Sequence, residues 1–271
     1  MAEGHRASRA FGGAMPSTGF DFQMTSGTTP ALIVALQPGM TFFSEGGALV
    51  CKDSDLSLKL GLGNGARQGF LGKVWSAVRR RMSGEGFLTQ QFVNATQTNR
   101  SLILAAPRPG DILAVDLNKF GGSVLCQRGA FMAAPGGTDV TIHLKQKIGF
   151  ALFGQEHLVM QQIRGDNVVF LNAGGSIVTR ALPPGKAVDI DTGCLVAMTP
   201  NVGTGIVKAG SWASSLFGSE GFFMVRCSNA SAEPGRVWMQ TSTFSREVAA
   251  ITAEQARQSG KRSSIMGNDP G

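Results

Sequence analysis

Strict alternation of apolar and polar residues marks two segments of this chain. Asp55-Leu56-Ser57-Leu58-Lys59-Leu60 and Asp139-Val140-Thr141-Ile142-His143-Leu144 match apolar for apolar and polar for polar. A period of two is the mark of a strand with one face in a core and the other in water. That register sends Leu58 and Ile142 inward, with Ile206 at the corresponding place of a looser third copy. Lys59 and His143 turn to solvent.

The match extends along the chain. Pro38-Gly39, Pro109-Gly110 and Pro184-Gly185 recur at intervals of roughly 70 residues, and a fixed interval is the signature of a repeat architecture. Each turn is followed by a glycine-opened apolar run: Gly47-Ala48-Leu49-Val50, Gly129-Ala130-Phe131-Met132 and Gly193-Cys194-Leu195-Val196. Later in each copy comes a turn carrying a glutamate, Glu85, Glu156 or Glu220, then an apolar strand. A final strand closes each copy, at Leu102-Ile103-Leu104, Val168-Val169-Phe170-Leu171 and Val237-Trp238-Met239.

A unit of short strands cannot cover its own sheet edges, and packing three copies around a shared axis protects them. The expected fold is therefore all-β: three equivalent β units about a pseudo-threefold axis, with minor helical connectors. Residues 1–20 read as a flexible arm and 21–107 as the first unit, carrying a basic amphipathic insert. Residues 108–182 and 183–245 form the second and third units. In 246–271, an alanine-rich stretch after the N-cap candidate Ser245 predicts a short helix, followed by a disordered tail.

Composition agrees. Hydrophobic residues make up 42% and charged residues 16% of 271, which excludes wholesale disorder. Thirty-seven glycines without a collagen period predict many tight turns. No apolar run is long enough to span a membrane as a helix, and a secretory start is not apparent. The expectation is a soluble protein of a reducing compartment. Cys51, Cys126, Cys194 and Cys227 form no C-x-x-C pair and read as small buried hydrophobes.

Charge changes the picture at one place. Residues 67–100 hold Arg67, Lys73, Arg79, Arg80, Arg81 and Arg100 against Glu85 alone, a net +5 of the chain's +7. Within 70–82, Phe70, Leu71, Val74, Trp75, Val78 and Met82 recur at helical spacings of three and four. A basic amphipathic helix with a tryptophan suits an anionic bilayer, through Lys73, Trp75, Arg79, Arg80 and Arg81. The plainer reading is a connector whose apolar stripe packs on the β body.

Enzyme signatures fail. Gly61-Leu62-Gly63-Asn64-Gly65 lacks the third glycine of a dinucleotide loop, and Gly72-Lys73 is followed by Val74 where a P-loop needs Ser or Thr. Three histidines, His5, His143 and His157, supply no metal centre. No catalytic, cofactor or metal residues are assigned. Glu85, Glu156 and Glu220 could gather as a cation site, but the simpler role is accepting backbone N–H groups of their own turns. Asn94-Ala95-Thr96, Asn99-Arg100-Ser101 and Asn229-Ala230-Ser231 match the glycosylation pattern, which carries no meaning without secretion.

The stretches PGDILAVDL, LFGQE, DIDTGCLVAMTP, LFGSEGFFM and GRVWMQ resemble the mitochondrial biogenesis family of the altered-inheritance-of-mitochondria type, over roughly residues 30–245. The resemblance implies a fold like that of the tryptophan-attenuation protein, a short variant of the double-stranded β-helix, with internal pseudo-threefold symmetry. It implies association with inner-membrane architecture in fungal mitochondrial members and carries over no catalytic residue. The expected function is a non-enzymatic scaffold or interaction protein at an anionic lipid surface or with protein partners, homo-oligomers included. The expected location is mitochondrial in a eukaryote and cytoplasmic, peripheral to the inner membrane, in a bacterium. The alternative is a small-ligand or RNA-binding module. Nucleic acid is disfavoured because no aromatics interleave with the basic residues and tyrosine is absent.

Overall fold

A computed structural model describes residues 19–62, 88–147, 157–208 and 223–243, with 248, 251, 252, 254 and 255 beyond them. After β1 (Asp21–Met24) come β2 (Ala31–Leu36), β3 (Thr41–Glu45), β4 (Leu49–Lys52), β5 (Ser57–Leu62), β6 (Leu88–Val93) and β7 (Arg100–Ala105). A second set follows: β8 (Asp111–Asp116), β9 (Ser123–Gln127), β10 (Phe131–Pro135), β11 (Asp139–Lys147), β12 (His157–Arg164) and β13 (Val168–Ala173). The third comprises β14 (Ile177–Leu182), β15 (Ala187–Asp191), β16 (Leu195–Met198), β17 (Gly203–Lys208), β18 (Phe223–Ser228) and β19 (Gly235–Gln240). Among the described residues, helix is confined to two short 3-10 turns and to positions between 248 and 255. The fold is all-β.

Four antiparallel sheets result, in the orders β1-β2-β7-β4, β5-β6-β3-β10-β13-β8, β11-β12-β9-β16-β19-β14 and β15-β18-β17. Within each set the first strand pairs with the sixth and the sixth with the third, as in β2-β7-β4, β8-β13-β10 and β14-β19-β16. The fourth pairs with the fifth and the fifth with the second, as in β5-β6-β3, β11-β12-β9 and β17-β18-β15. Residues 177–182, read from sequence as the end of the second unit, pair with β19 in the third set.

Each set's third strand carries a bulge at the same place. The register shifts between Leu49 and Cys51, between Phe131 and Ala133, and between Leu195 and Ala197. A bulge bends its strand and re-aims side chains, here at Val50, Met132 and Val196. These are the residues that end the glycine-opened runs.

Sheets stack face to face with three core clusters between them. β13 is buried on both faces: Val168 and Phe170 join Leu32, Leu36 and Leu102 of the first set, while Val169 and Leu171 join Val124, Val196 and Trp238. A third cluster combines Leu125, Leu158 and Met160 with Val188, Ile190, Val225 and Cys227. Strands covered on two sides read as continuous apolar runs, as VVFLNA does.

Several expectations need correction. Leu58 is 39% exposed and Leu60 43%, although Phe92, paired directly opposite Leu58, is fully buried. Among the described residues β5 is the outer strand of its sheet, and burial stops one strand short of it. Lys59 and His143 are exposed as expected, Ile206 is partly buried against the third cluster, and the Ile142 side chain lies outside the described residues. Cys126 and Cys227 are buried, but Cys194 is half-buried and Cys51 exposed.

The Pro-Gly turns also divide. Pro38-Gly39 joins β2 to β3 and Pro184-Gly185 joins β14 to β15, whereas Pro109-Gly110 lies between sets, joining β7 to β8. Gly110 serves a close approach: a Cβ there would fall 1.9 Å from the Ala173 carbonyl oxygen.

Candidate functional site

The side chains singled out from sequence, Lys73, Trp75, Arg79, Arg80 and Arg81 together with Glu85, Glu156 and Glu220, lie outside the described residues. In the sequence they fall between strands that pair with one another. Leu62 pairs with Leu88, Lys147 with His157, and Lys208 with Phe223. All three glutamates therefore belong to the connection between the fourth and fifth strands of a set, and the basic segment belongs to the first of these connections. β5, which leads into it, carries exposed Leu58, Lys59 and Leu60.

Among the described residues, a polar cleft forms where the second and third sets meet. Arg108 and Pro109 precede β8, Gln127-Arg128-Gly129-Ala130 joins β9 to β10, and Asn172 and Gly174 end β13. Leu195, Val196, Gln240 and Ser242 close the far side. Its free volume is about 60 Å³, against the ~10–15 Å³ one water needs on the same measure. A few waters or a small oxyanion would fill it.

The cleft is held by its backbone and by Gln240. Gln240 Oε1 accepts from Gly174 N at 2.7 Å, and its Nε2 donates to Gly193 O at 2.6 Å. A Cβ on Gly174 would meet Ser242 O at 2.5 Å, so only glycine lets these segments close. Arg108 lies over Gly129, where a Cβ would come 3.3 Å from its Nη2. Asn172 is only 7% exposed; its N–H donates to Ala130 O at 2.7 Å, but its side-chain Oδ1 has no partner among the described residues. A buried acceptor without a donor costs about 1–3 kcal/mol, which a water or ligand donor would relieve. Sequence reading missed this cleft because its parts come from five separate segments.

The remaining chemistry is quiet. Burial, reinforced by the charge of Glu45, pushes the Cys126 thiol up to about 12. Burial and the charge of Asp189 take Cys227 to about 12 as well. Neither thiol is a nucleophile near neutrality. Among the described residues no three His, Cys, Asp or Glu side chains gather to hold a metal, and no helix is long and apolar enough to cross a membrane.

Two of the three glycosylation-like triplets turn out to be braces. Asn94 donates from Nδ2 to Leu36 O and Thr98 O at 2.8 and 2.9 Å, and Asn229 does the same to Leu182 O and Glu233 O, both at 2.8 Å. Each accepts at Oδ1 from the residue two positions on, Thr96 or Ser231. Each also exchanges backbone bonds with a Pro-Gly turn: Gly39 N to Asn94 O and Gly185 N to Asn229 O. Both asparagines are buried. Their recurrence at one place in two units was the available signal.

The family model described as mitochondrial biogenesis AIM24 matches residues 22–242. The chain belongs to this family. The match covers every strand but the first residue of β1, so the AIM24 region is the whole β body. No curated protein matches the chain. An X-ray crystal structure of a protein from Streptococcus pyogenes is similar, with a TM-score of 0.64 at 21% identity, covering 87% of this AIM24 chain and 99% of that one. At that identity the likeness speaks for the fold alone.

Proposed function

We propose that this AIM24-family chain is a non-enzymatic scaffold that attaches to an anionic membrane surface through residues 70–82. Lys73, Arg79, Arg80 and Arg81 supply the charge and Trp75 the interfacial anchor. The observation that carries this is the charge distribution: +5 of the chain's +7 falls within residues 67–100, in the connection of the hairpin whose outer strand exposes Leu58 and Leu60. Each basic residue near an anionic bilayer contributes about 1 kcal/mol, so the four together give weak, reversible attachment. The family's link to mitochondrial biogenesis fits a role at the inner-membrane surface, and in a bacterium the equivalent is the cytoplasmic face. Glu85, Glu156 and Glu220 serve their own turns. The body behind the contact is three equivalent six-strand units joined edge to edge. In support of this, the same pairing order recurs in each set and the bulge in each third strand.

Sedimentation with cardiolipin-containing and with neutral vesicles tests the reading. Attachment should require the anionic lipid, weaken with salt, and fall when Arg79, Arg80 and Arg81 become Gln. Equal pelleting of wild type and triple variant, or none at low salt, ends it. The second reading, a small-ligand or RNA module, is favoured by Arg108, Arg128 and the unpartnered Asn172 Oδ1 around one cleft. Calorimetry with inorganic phosphate, and salt-dependent retention of RNA, would each have to show loss of binding on Arg128→Gln for that reading to take precedence.

A further inference from the structure

The chain makes one kind of strand junction twice and carries the two halves of a third. In the first, β3 pairs with β10, Ser44 opposite Ala133 and Phe43 opposite Ala134. In the second, β9 pairs with β16, Cys126 opposite Ala197 and Leu125 opposite Met198. Each time the second strand of one set meets the bulged third strand of the next. Left over are β4, a bulged third strand, and β15, a second strand. They end the four-stranded and three-stranded sheets, and neither has a strand on its outer side among the described residues.

The leftover edge shows the expected exposure. Met132 is 0% exposed in the core of the first set and Val196 1% in that of the second, but their counterpart Val50 is 62% exposed. Cys51 is exposed where Ala133 and Ala197 are fully buried. The third cluster, around Val188, Ile190 and Val225, takes Leu195 and Met198 from the bulged β16 of its own set, and β15 has no bulged strand beside it among the described residues.

Transferring the register of the two existing junctions places Cys51 opposite Ile190 and Lys52 opposite Asp189. That pairing joins opposite charges. β4 carries a base and no acid, while β15 carries Asp189 and Asp191 and no base. Like edges would therefore repel and unlike edges attract. Lys52 Nζ currently rests on backbone carbonyls, Leu56 O at 2.8 Å and Asp53 O at 3.2 Å. Asp189 is held by Arg226 at 2.7 Å but remains exposed.

We infer that the third junction is made between two copies of this chain, β15 of one pairing antiparallel with β4 of the next, head to tail. The contact is heterologous, so it generates a closed ring if the rotation permits and an open filament if it does not. It buries Val50 and Cys51 as Met132 and Ala133 are buried inside one chain. It stands on the sheet edges alone and does not depend on the membrane reading.

Sedimentation velocity of the full chain over a wide concentration range tests this. The mass should rise from one chain to whole multiples. Lys52→Asp and Asp189→Lys should each weaken association by roughly tenfold or more, and the two together should restore it, as coupled residues do. Melting curves accompany each variant. Lys52→Asp decides alone if Asp189→Lys fails to fold, because Lys52 bonds only to backbone carbonyls. A chain that stays monomeric throughout overturns the inference, as does association indifferent to both swaps. A monomer whose melting temperature falls with each swap and recovers with both would put β15 against β4 of its own chain, and would overturn it too.

Discussion

β4 and β10 are the same element in different company. Each follows a glycine turn, pairs with the sixth strand of its own set and breaks register at one bulged residue. Met132 is nevertheless sealed and Val50 open. Local sequence makes the bulge in both, and burial follows only where β3 lies alongside β10. A residue's energetic weight in this fold is thus set by whether the neighbouring unit is present.

The sharpest way to break that comparison is to empty both positions. Met132→Ala should cost about 2–5 kcal/mol, the range for truncating a buried long aliphatic side chain. Val50→Ala, measured at low protein concentration, should cost under about 0.5 kcal/mol, as surface changes do. Denaturant melts of the pair decide it; equal losses would mean that β4 is covered.

The turns sharpen the contrast next. In the outer sets Asn94 and Asn229 close the connection between first and second strands from within. In the middle set that connection is the 3-10 turn Leu117–Phe120, capped by Asp116 and ended by Gly121 in the left-handed region. Its Phe120 turns outward to meet Trp238 edge-on at 5.2 Å, beneath Arg236. The middle unit, flanked on both sides, uses its turn for a neighbour where the outer units use a buried amide. Asn229→Ala takes the buried amide donor from the Leu182 carbonyl, while Glu233 O keeps Asn201 and Ser231, and should cost about 1–3 kcal/mol. Asn118→Ala removes one exposed bond to Asp166 O and should cost about 0.5–1 kcal/mol. Thermal melts showing the reverse order would contradict this account of the turns.

The smallest effect is electrostatic. Hydrogen bonds from Arg226, then its charge, hold the Asp189 carboxyl below its ordinary range against an opposing desolvation. With the folded value depressed, the pair's stabilisation is complete above the unfolded value of about 3.9 and is lost as pH falls through the folded one. Both groups are largely exposed, so the contribution is small and screened by salt. The melting difference between wild type and Arg226→Gln should be present near neutrality and vanish in acid below that range. A difference that persists there would assign it to packing of the arginine stem.

Much of this was legible in the sequence, and the exceptions have a common cause. Period-two alternation located β5 and β11, and the glycine-opened runs located all three bulged strands, because strand formation is local. The same alternation placed Leu58 in a core, where it is not: alternation identifies two faces but cannot say whether another sheet lies over either. The Pro-Gly dipeptides marked turns faithfully, yet Pro109-Gly110 is one strand away from its supposed counterparts, since a dipeptide reports a bend and not its place in the pairing order. Asn94 and Asn229 were visible as triplets, but their role lies in carbonyls far away in sequence. The cleft around Asn172 was invisible for the same reason.

Hydrogen exchange at the backbone amides of β4, β10, β15 and β16, followed at low and high protein concentration, tests the central claim most directly. Amides of β10 and β16 should be protected at both. The amides on the outer sides of β4 and β15 should exchange freely in dilute solution and gain protection together as concentration rises. Protection of β4 equal to that of β10 in the most dilute sample would show the third junction already closed within one chain, and would contradict the account.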